Sequence, residues 1–153
     1  MDREFPRPQA QGDGLAAPSR RIARWFHAHS GDRTYAPTGV NPGAGYVVDG
    51  PPFAVLQSPV ADSVGLYLCN APLQRPASPE HFLSTDPACE GQEKVALLGH
   101  IRSSRDGQAP RSLLRCVVTV QSALRTGPRH LATPDVLECR GHAIESVLGY
   151  VAG

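Results

Sequence analysis

Apolar residues in this chain come in short runs, broken every few positions by Gly, Pro, Asn, Asp or Ser. Examples are Gly45-Tyr46-Val47-Val48-Asp49-Gly50 and Leu113-Leu114-Arg115-Cys116-Val117-Val118-Thr119-Val120. Runs of that length, rich in β-branched residues and bounded by turn formers, predict strands, and no stretch sustains a 3.6-residue apolar period over three turns. The expectation is an all-β domain with many turns. The presence of 15 Gly and 15 Pro beside one Met and one Trp points the same way. A single domain of this size buries roughly 70% of the surface that its unfolded chain exposes, enough for a real core. Residues 1 to 20, rich in Pro, Gly, Gln and Ala, read as a flexible leader or linker, and 21 to 153 as the folded domain.

Self-similarity divides that domain into units of roughly 45 residues. Leu66-Tyr67-Leu68-Cys69 aligns with Leu113-Leu114-Arg115-Cys116, His81-Phe82-Leu83-Ser84 with His130-Leu131-Ala132-Thr133, and Asp86 with Asp135. Cys89-Glu90-Gly91-Gln92 then aligns with Cys139-Arg140-Gly141-His142, and Leu98-Gly99-His100-Ile101 with Leu148-Gly149-Tyr150-Val151. An earlier copy without cysteine is expected to start at Trp25-Phe26-His27, to continue through Thr34-Tyr35-Ala36-Pro37-Thr38 and to close on Gly45-Tyr46-Val47. The three repeats, 22 to 65, 66 to 112 and 113 to 153, suit a β-trefoil, whose repetition closes a small barrel and removes sheet edges. A flatter tandem β array or a three-bladed arrangement is the alternative. Leu97-Leu98 and Val147-Leu148 are the expected core pairs, and Gly99 and Gly149 the expected points of close backbone approach.

The four cysteines fall as one pair in each clear repeat. Sequence alone permits three connectivities, and the one that respects the repeat joins Cys69 to Cys89 and Cys116 to Cys139. A loop of about 20 residues closed in this way contributes on the order of 3 kcal/mol on the entropic account. Zinc is the alternative, but close Cys-x2-Cys pairs are absent, and no metal or cofactor is expected. Disulfides imply an oxidising compartment, so the expectation is a secreted, extracellular protein.

Charge is nearly balanced, with 15 Lys plus Arg against 14 Asp plus Glu, which leaves no basic stripe for nucleic acid. Lys94 is the single lysine, a bias that a GC-rich genome would produce. No apolar run reaches the 18 residues or so of a membrane span, so membrane insertion is not expected, and the N-terminus lacks the apolar core of a signal peptide. Nucleophile elbows, zincin motifs and phosphate-cradling loops are missing, and the carboxylates Glu80, Asp86, Asp135 and Glu145 have nothing to pair them for glycoside hydrolysis. The expectation is a binding module and not an enzyme. His27-Ala28-His29 with Asp32 reads as a solvated edge rather than a metal site, and the recurrent His81 and His130 as structural groups donating to backbone carbonyls. Polar groups on the cysteine-anchored turns, Glu90 and Gln92 in one unit and Arg140 and His142 in the next, are the expected ligand contacts, with Asp32 and Tyr35 serving the first unit.

The motifs His81-Phe82-Leu83-Ser84-Thr85-Asp86-Pro87, Cys89-Glu90-Gly91-Gln92 and Leu98-Gly99 resemble the tandem repeats of exported bacterial proteins, whose units carry His-Phe-x-Ser/Thr, Cys-Glu-Gly-Gln and Leu-Gly-Tyr. Gly45 to Gly50 with Phe53 is similar to a cysteine-free form of that unit. The resemblance implies an accessory or adhesive role beside exported hydrolases and surface proteins. Together these features lead to the expectation of a carbohydrate-binding, lectin-like module for glycans or cell-surface polysaccharide, with related weak sites that gain avidity. The alternatives are a protein-binding module, an inhibitor or adhesion subunit using loops Pro72 to Pro79 or Arg102 to Arg111, and an enzyme with its site in one repeat.

Overall fold

A computed structural model describes residues 17–74, 77–118 and 129–153. The described residues form strands, turns and two short 3-10 segments, with no α-helix, and none is a helix long and apolar enough to cross a membrane. The first unit contains β1 (Ser19–His27), β2 (Arg33–Pro37), β3 (Tyr46–Val48) and β4 (Phe53–Leu56). The second contains β5 (Ser63–Asn70), β6 (Leu73–Gln74), β7 (Ala77–Ser78), β8 (His81–Ser84), a 3-10 turn at Cys89–Gly91 and β9 (Glu93–Arg102). The third contains β10 (Arg111–Val118), β11 (Arg129–Thr133), a 3-10 turn at Val136–Cys139 and β12 (Ala143–Val151). Strands β6 and β7 make a separate hairpin. The other ten share one open sheet in the order β11-β10-β12-β9-β4-β1-β2, with β3 also on β1, and β5 and β8 attached through β9.

The units share one antiparallel plan. A long first strand (β1, β5 or β10) pairs with a short strand on one side (β2, β8 or β11) and with a closing strand on the other. In the second and third units the closing strand is continuous. In the first it is split: β3 covers Trp25–His27, β4 covers Ser19–Ile22, and Gly50-Pro51-Pro52 breaks the chain between them. Pro cannot donate to a ladder, and Gly50 at φ +82° turns the backbone away. Register therefore corrects the expected first copy. Ile22 opposite Phe53 matches Leu66 opposite Gly99 and Leu113 opposite Gly149. The unit starts at Ile22-Ala23-Arg24-Trp25, closes on Phe53-Ala54-Val55, and sets Tyr35, not Ala36, at the position of Leu83.

Strand alternation sends equivalent residues of the three units inward. Ile22, Leu66 and Leu113, then Val55, Ile101 and Val151, then Tyr35, Leu83 and Ala132 form the core, each at most 2% exposed. Tyr35 is large where Ala132 is small, and the Ala132 amide donates to the Tyr35 hydroxyl at 2.7 Å across the core. Burial pushes the Tyr35 phenol up to about 12. Tyr35→Phe should leave that amide without an acceptor and cost about 1–3 kcal/mol in a denaturant titration. The expected core pairs are corrected by the same alternation: Leu98 is buried and Leu148 partly so, whereas Leu97 and Val147 face solvent.

Three equivalent pairings join the units at their closing strands: Leu56 with His100, Arg102 with Tyr150, and the isolated bridge Ala54 with Ala152. The chains approach closely there. A Cβ on Gly99 would lie 2.7 Å from the Leu56 carbonyl oxygen, and one on Gly149 2.7 Å from that of Arg102. Gly149→Ala should push two backbones apart and lower stability by about 1–3 kcal/mol, read as a shift in melting temperature.

Cys69–Cys89 and Cys116–Cys139 are disulfides with Cα separations of 5.7 and 6.0 Å, and no cysteine is free, which closes the zinc alternative for these residues. Trp25 holds the corresponding place in the first unit. The domain also begins before the expected boundary, because Ser19 and Arg20 pair with Leu56 and Val55 in β1–β4. The rest of the expected leader, residues 1–16, lies outside the described residues, as do 75–76 of the Pro72 to Pro79 loop.

Candidate functional site

Polar side chains at the joints between units are mostly committed to one another. Asp32 and Glu80, each just ahead of the short strand of its unit, are 0% and 2% exposed, and each accepts from a histidine of the next unit. His81 Nδ1 lies 2.6 Å from Asp32 Oδ2 while the His81 amide donates to Oδ1 at 2.8 Å, and His130 Nδ1 lies 2.6 Å from Glu80 Oε2. Arg129 holds the third such place. It donates to Glu80 at 3.1 Å, to the Pro79 carbonyl at 2.6 Å and to the Ser30 carbonyl of the first unit at 2.6 Å. The recurrent histidines thus bind buried carboxylates, and not the backbone carbonyls expected of them.

A second set of links runs in the same direction. Arg24 grips Glu138 of the third unit and Arg115 grips Glu90 of the second, each with a 2.7 Å contact. The equivalent residue of the second unit is Leu68, which would face the first unit, the one without a cysteine-bearing 3-10 turn. Where no acid is offered, no arginine is present. The acids of the closing segments follow suit: Asp49 serves Arg24 and Glu145 serves Arg115, while Val95 stands at that place beside Leu68.

Glu90, expected as a ligand contact, is therefore held by Arg115 and by the Ser84 hydroxyl at 2.6 Å. Hydrogen bonding from Arg115 holds its carboxyl below the usual range. Glu138 is also lowered: burial opposes ionisation, but Arg24 and the Thr133 hydroxyl outweigh it. A depressed folded pKa contributes stability above the unfolded carboxylate pKa, and that contribution disappears as pH falls through the folded value. Glu90→Gln should therefore lower the melting temperature at neutral pH, with the gap to the parent protein closing on acidification. Equal gaps at all pH values would contradict the link.

Gln92 and Arg140 are exposed beside their turns, and His142 is partly buried. Asp32 and Tyr35, expected to serve the first unit, are buried and occupied by internal partners, Tyr46 donating its hydroxyl to Asp32 at 2.5 Å. The His27 and His29 rings are 6.4 Å apart, and the described residues contain no group of three His, Cys, Asp or Glu able to hold a metal. Glu80, Asp86, Asp135 and Glu145 serve different partners: Asp86 and Asp135 accept from turn amides, and Glu80 and Glu145 hold arginines.

Among the described residues, a concave feature lies where the three closing strands meet. Val55, Ile101 and Val151 point into the core, so their neighbours Ala54, His100 and Tyr150 and, one step on, Leu56, Arg102 and Ala152 face the other way. Large polar residues come from the second and third units, and alanines from the first strand set and the chain end. At this junction lies an open depression of about 130 Å³, lined also by Gln108 and Ala109. Tyr150 presents a ring there, with the Arg105 guanidinium 5.4 Å from its centroid. Arg102 reaches Gln108 Oε1 only at 3.4 Å and Asp106 Oδ2 at 3.7 Å, much looser than the arginines at the unit joints. An aromatic face, imidazole, amide and guanidinium groups around an apolar floor can orient a small polyhydroxylated or charged ring. In the sequence His100 stands out only as the counterpart of Tyr150 in the repeat, and Arg102 only as the start of a loop; their meeting depends on register between distant strands. No family model, curated protein or solved structure matches this chain.

Proposed function

We propose that this chain is an exported, lectin-like saccharide-binding module. The observation that carries the reading is the depression at the junction of the units, which brings Tyr150, His100, Arg102 and Gln108 together with an otherwise mostly apolar lining. Saccharides are recognised by such pairings of an aromatic face with fixed hydrogen-bonding groups. Two disulfides fit an oxidising, extracellular setting. The three equivalent strand pairings among β4, β9 and β12 fit a pseudo-threefold, β-trefoil plan, which would bring one junction, and so one axial site, to each molecule.

A glycan array followed by titration calorimetry tests the proposal. Tyr150→Ala should weaken the strongest hit by about tenfold, the worth of roughly 1.4 kcal/mol, while leaving the melting temperature within a few degrees. A silent array overturns it. A protein partner is the second reading, favoured by Val136 and Leu137, which stand 57% and 63% exposed next to each other on a braced turn. Pull-down of one specific partner, lost in Leu137→Asp, would establish that reading.

A further inference from the structure

We propose that the axial depression selects an anionic sugar, its acid group taken by Arg102 with Arg105 at the rim. The inference rests on the saccharide reading and adds the charge of the ligand. The buried arginines of the described residues are held closely by acids: Arg24 by Asp49 and Glu138, Arg115 by Glu90 and Glu145, and Arg129 by Glu80 together with two carbonyls. Arg102 is not. Its Nε stands 3.7 Å from Asp106 and its Nη2 3.4 Å from Gln108, beyond the usual hydrogen-bond range for a charge-assisted pair. Asp106 is turned to other work, its Oδ1 accepting from the amides of the lining residues Gln108 and Ala109 at 2.8 and 2.9 Å. Arg105 adds a second guanidinium over Tyr150, steadied by the Ser112 hydroxyl at 3.0 Å. Arg102 and Arg105 thus set two guanidinium groups beside the committed carboxylate of Asp106, and His100 lies on the same face. A planar carboxylate suits the two-pronged guanidinium, and a sulfate ester offers the same charge with a different shape.

The experiment uses ¹H–¹⁵N NMR titration of the full chain with galacturonate, glucuronate and sialyl trisaccharides, a 6-sulfated galactose trisaccharide and the methyl ester of trigalacturonate. Shifts at the His100, Arg102 and Tyr150 amides are expected with at least one charged member. Affinity should fall at least about tenfold on esterification or in Arg102→Gln, with Arg102→Lys between. Preference for uronates over the sulfate would identify the acid as a carboxylate, and the reverse as a sulfate. Ester and acid binding alike, or Arg102→Gln binding as the parent does, overturns the charge selection while leaving saccharide binding intact. No shift with any charged member, although a neutral glycan binds at Tyr150, also overturns it. Silence with every saccharide, neutral ones included, removes the saccharide reading itself.

Discussion

Glu80→Ala is expected to cost about 3–5 kcal/mol of folding stability, the loss usually seen when one partner of a buried ion pair is removed. The side chains of Glu80 and Arg129 are 3% and 4% exposed, so neither is rescued by solvent when the other is lost. Arg129 would keep its two carbonyl acceptors, but its charge would stay buried in a place where its Nε already lacks a partner. His130 would lose the 2.6 Å contact at Nδ1 in the same step. The residue also lies on the seam between second and third units, and Arg129 reaches back to the first through Ser30, so the change touches two of the three joints at once. For a domain of this length, thermal denaturation should show a drop of roughly 10 °C. Glu80→Gln, which keeps an acceptor oxygen for Arg129, should lose less. A loss under 1 kcal/mol for the alanine variant would show that the seam draws its strength from elsewhere.

How much of this was legible in the sequence follows from which signals are local. Short apolar runs between turn residues give strands, and the spacing of Cys69, Cys89, Cys116 and Cys139 gives the two disulfides, because both depend on neighbours along the chain. The recurrence of His81 and His130 marked them as structural, but their buried acceptors, Asp32 and Glu80, come from the preceding units and differ in length, so no motif links them. Glu138 was hidden for a related reason. It precedes Cys139 whereas Glu90 follows Cys89, and an alignment on the cysteines sets Arg140 opposite Glu90 even though Glu138 does its work. In the first unit, Gly50-Pro51-Pro52 splits the closing strand, and the earlier piece carries the more motif-like sequence. The axial depression was the least legible of all. It exists because Ala54 and Ala152, almost a hundred positions apart, meet where the other units place His100, Tyr150 and Arg102.

Replacing Cys116 and Cys139 together by Ala is expected to cost on the order of 3 kcal/mol, the loop-closure value for a bridge spanning a little over 20 residues. The bridge has a second task. Cys139 ends the 3-10 turn whose Glu138 lies 2.7 Å from Arg24, and Asp135 starts that turn by accepting from the Leu137 amide at 3.0 Å. With the bridge gone, the turn keeps its packing against Leu114 of β10 and the Thr133 hydroxyl on Glu138, but Glu138 is set less firmly against a guanidinium that is itself buried. The disulfide and the Arg24–Glu138 pair should therefore be coupled. In a double-mutant cycle that combines the cysteine pair with Glu138→Gln, the summed single losses should exceed the double loss by at least about 0.5 kcal/mol, the level that separates interacting from independent sites. The Cys69–Cys89 bridge makes a matched comparison, since its turn presents Glu90 to Arg115 and packs beside Phe82. The same cycle with Glu90→Gln should show coupling of the same sign, whereas the cross combination of Cys69 and Cys89 with Glu138→Gln should be additive. Additivity in both matched cycles would mean that the bridges brace the chain without placing the acids, and that the turns hold their shape through their aspartate caps alone.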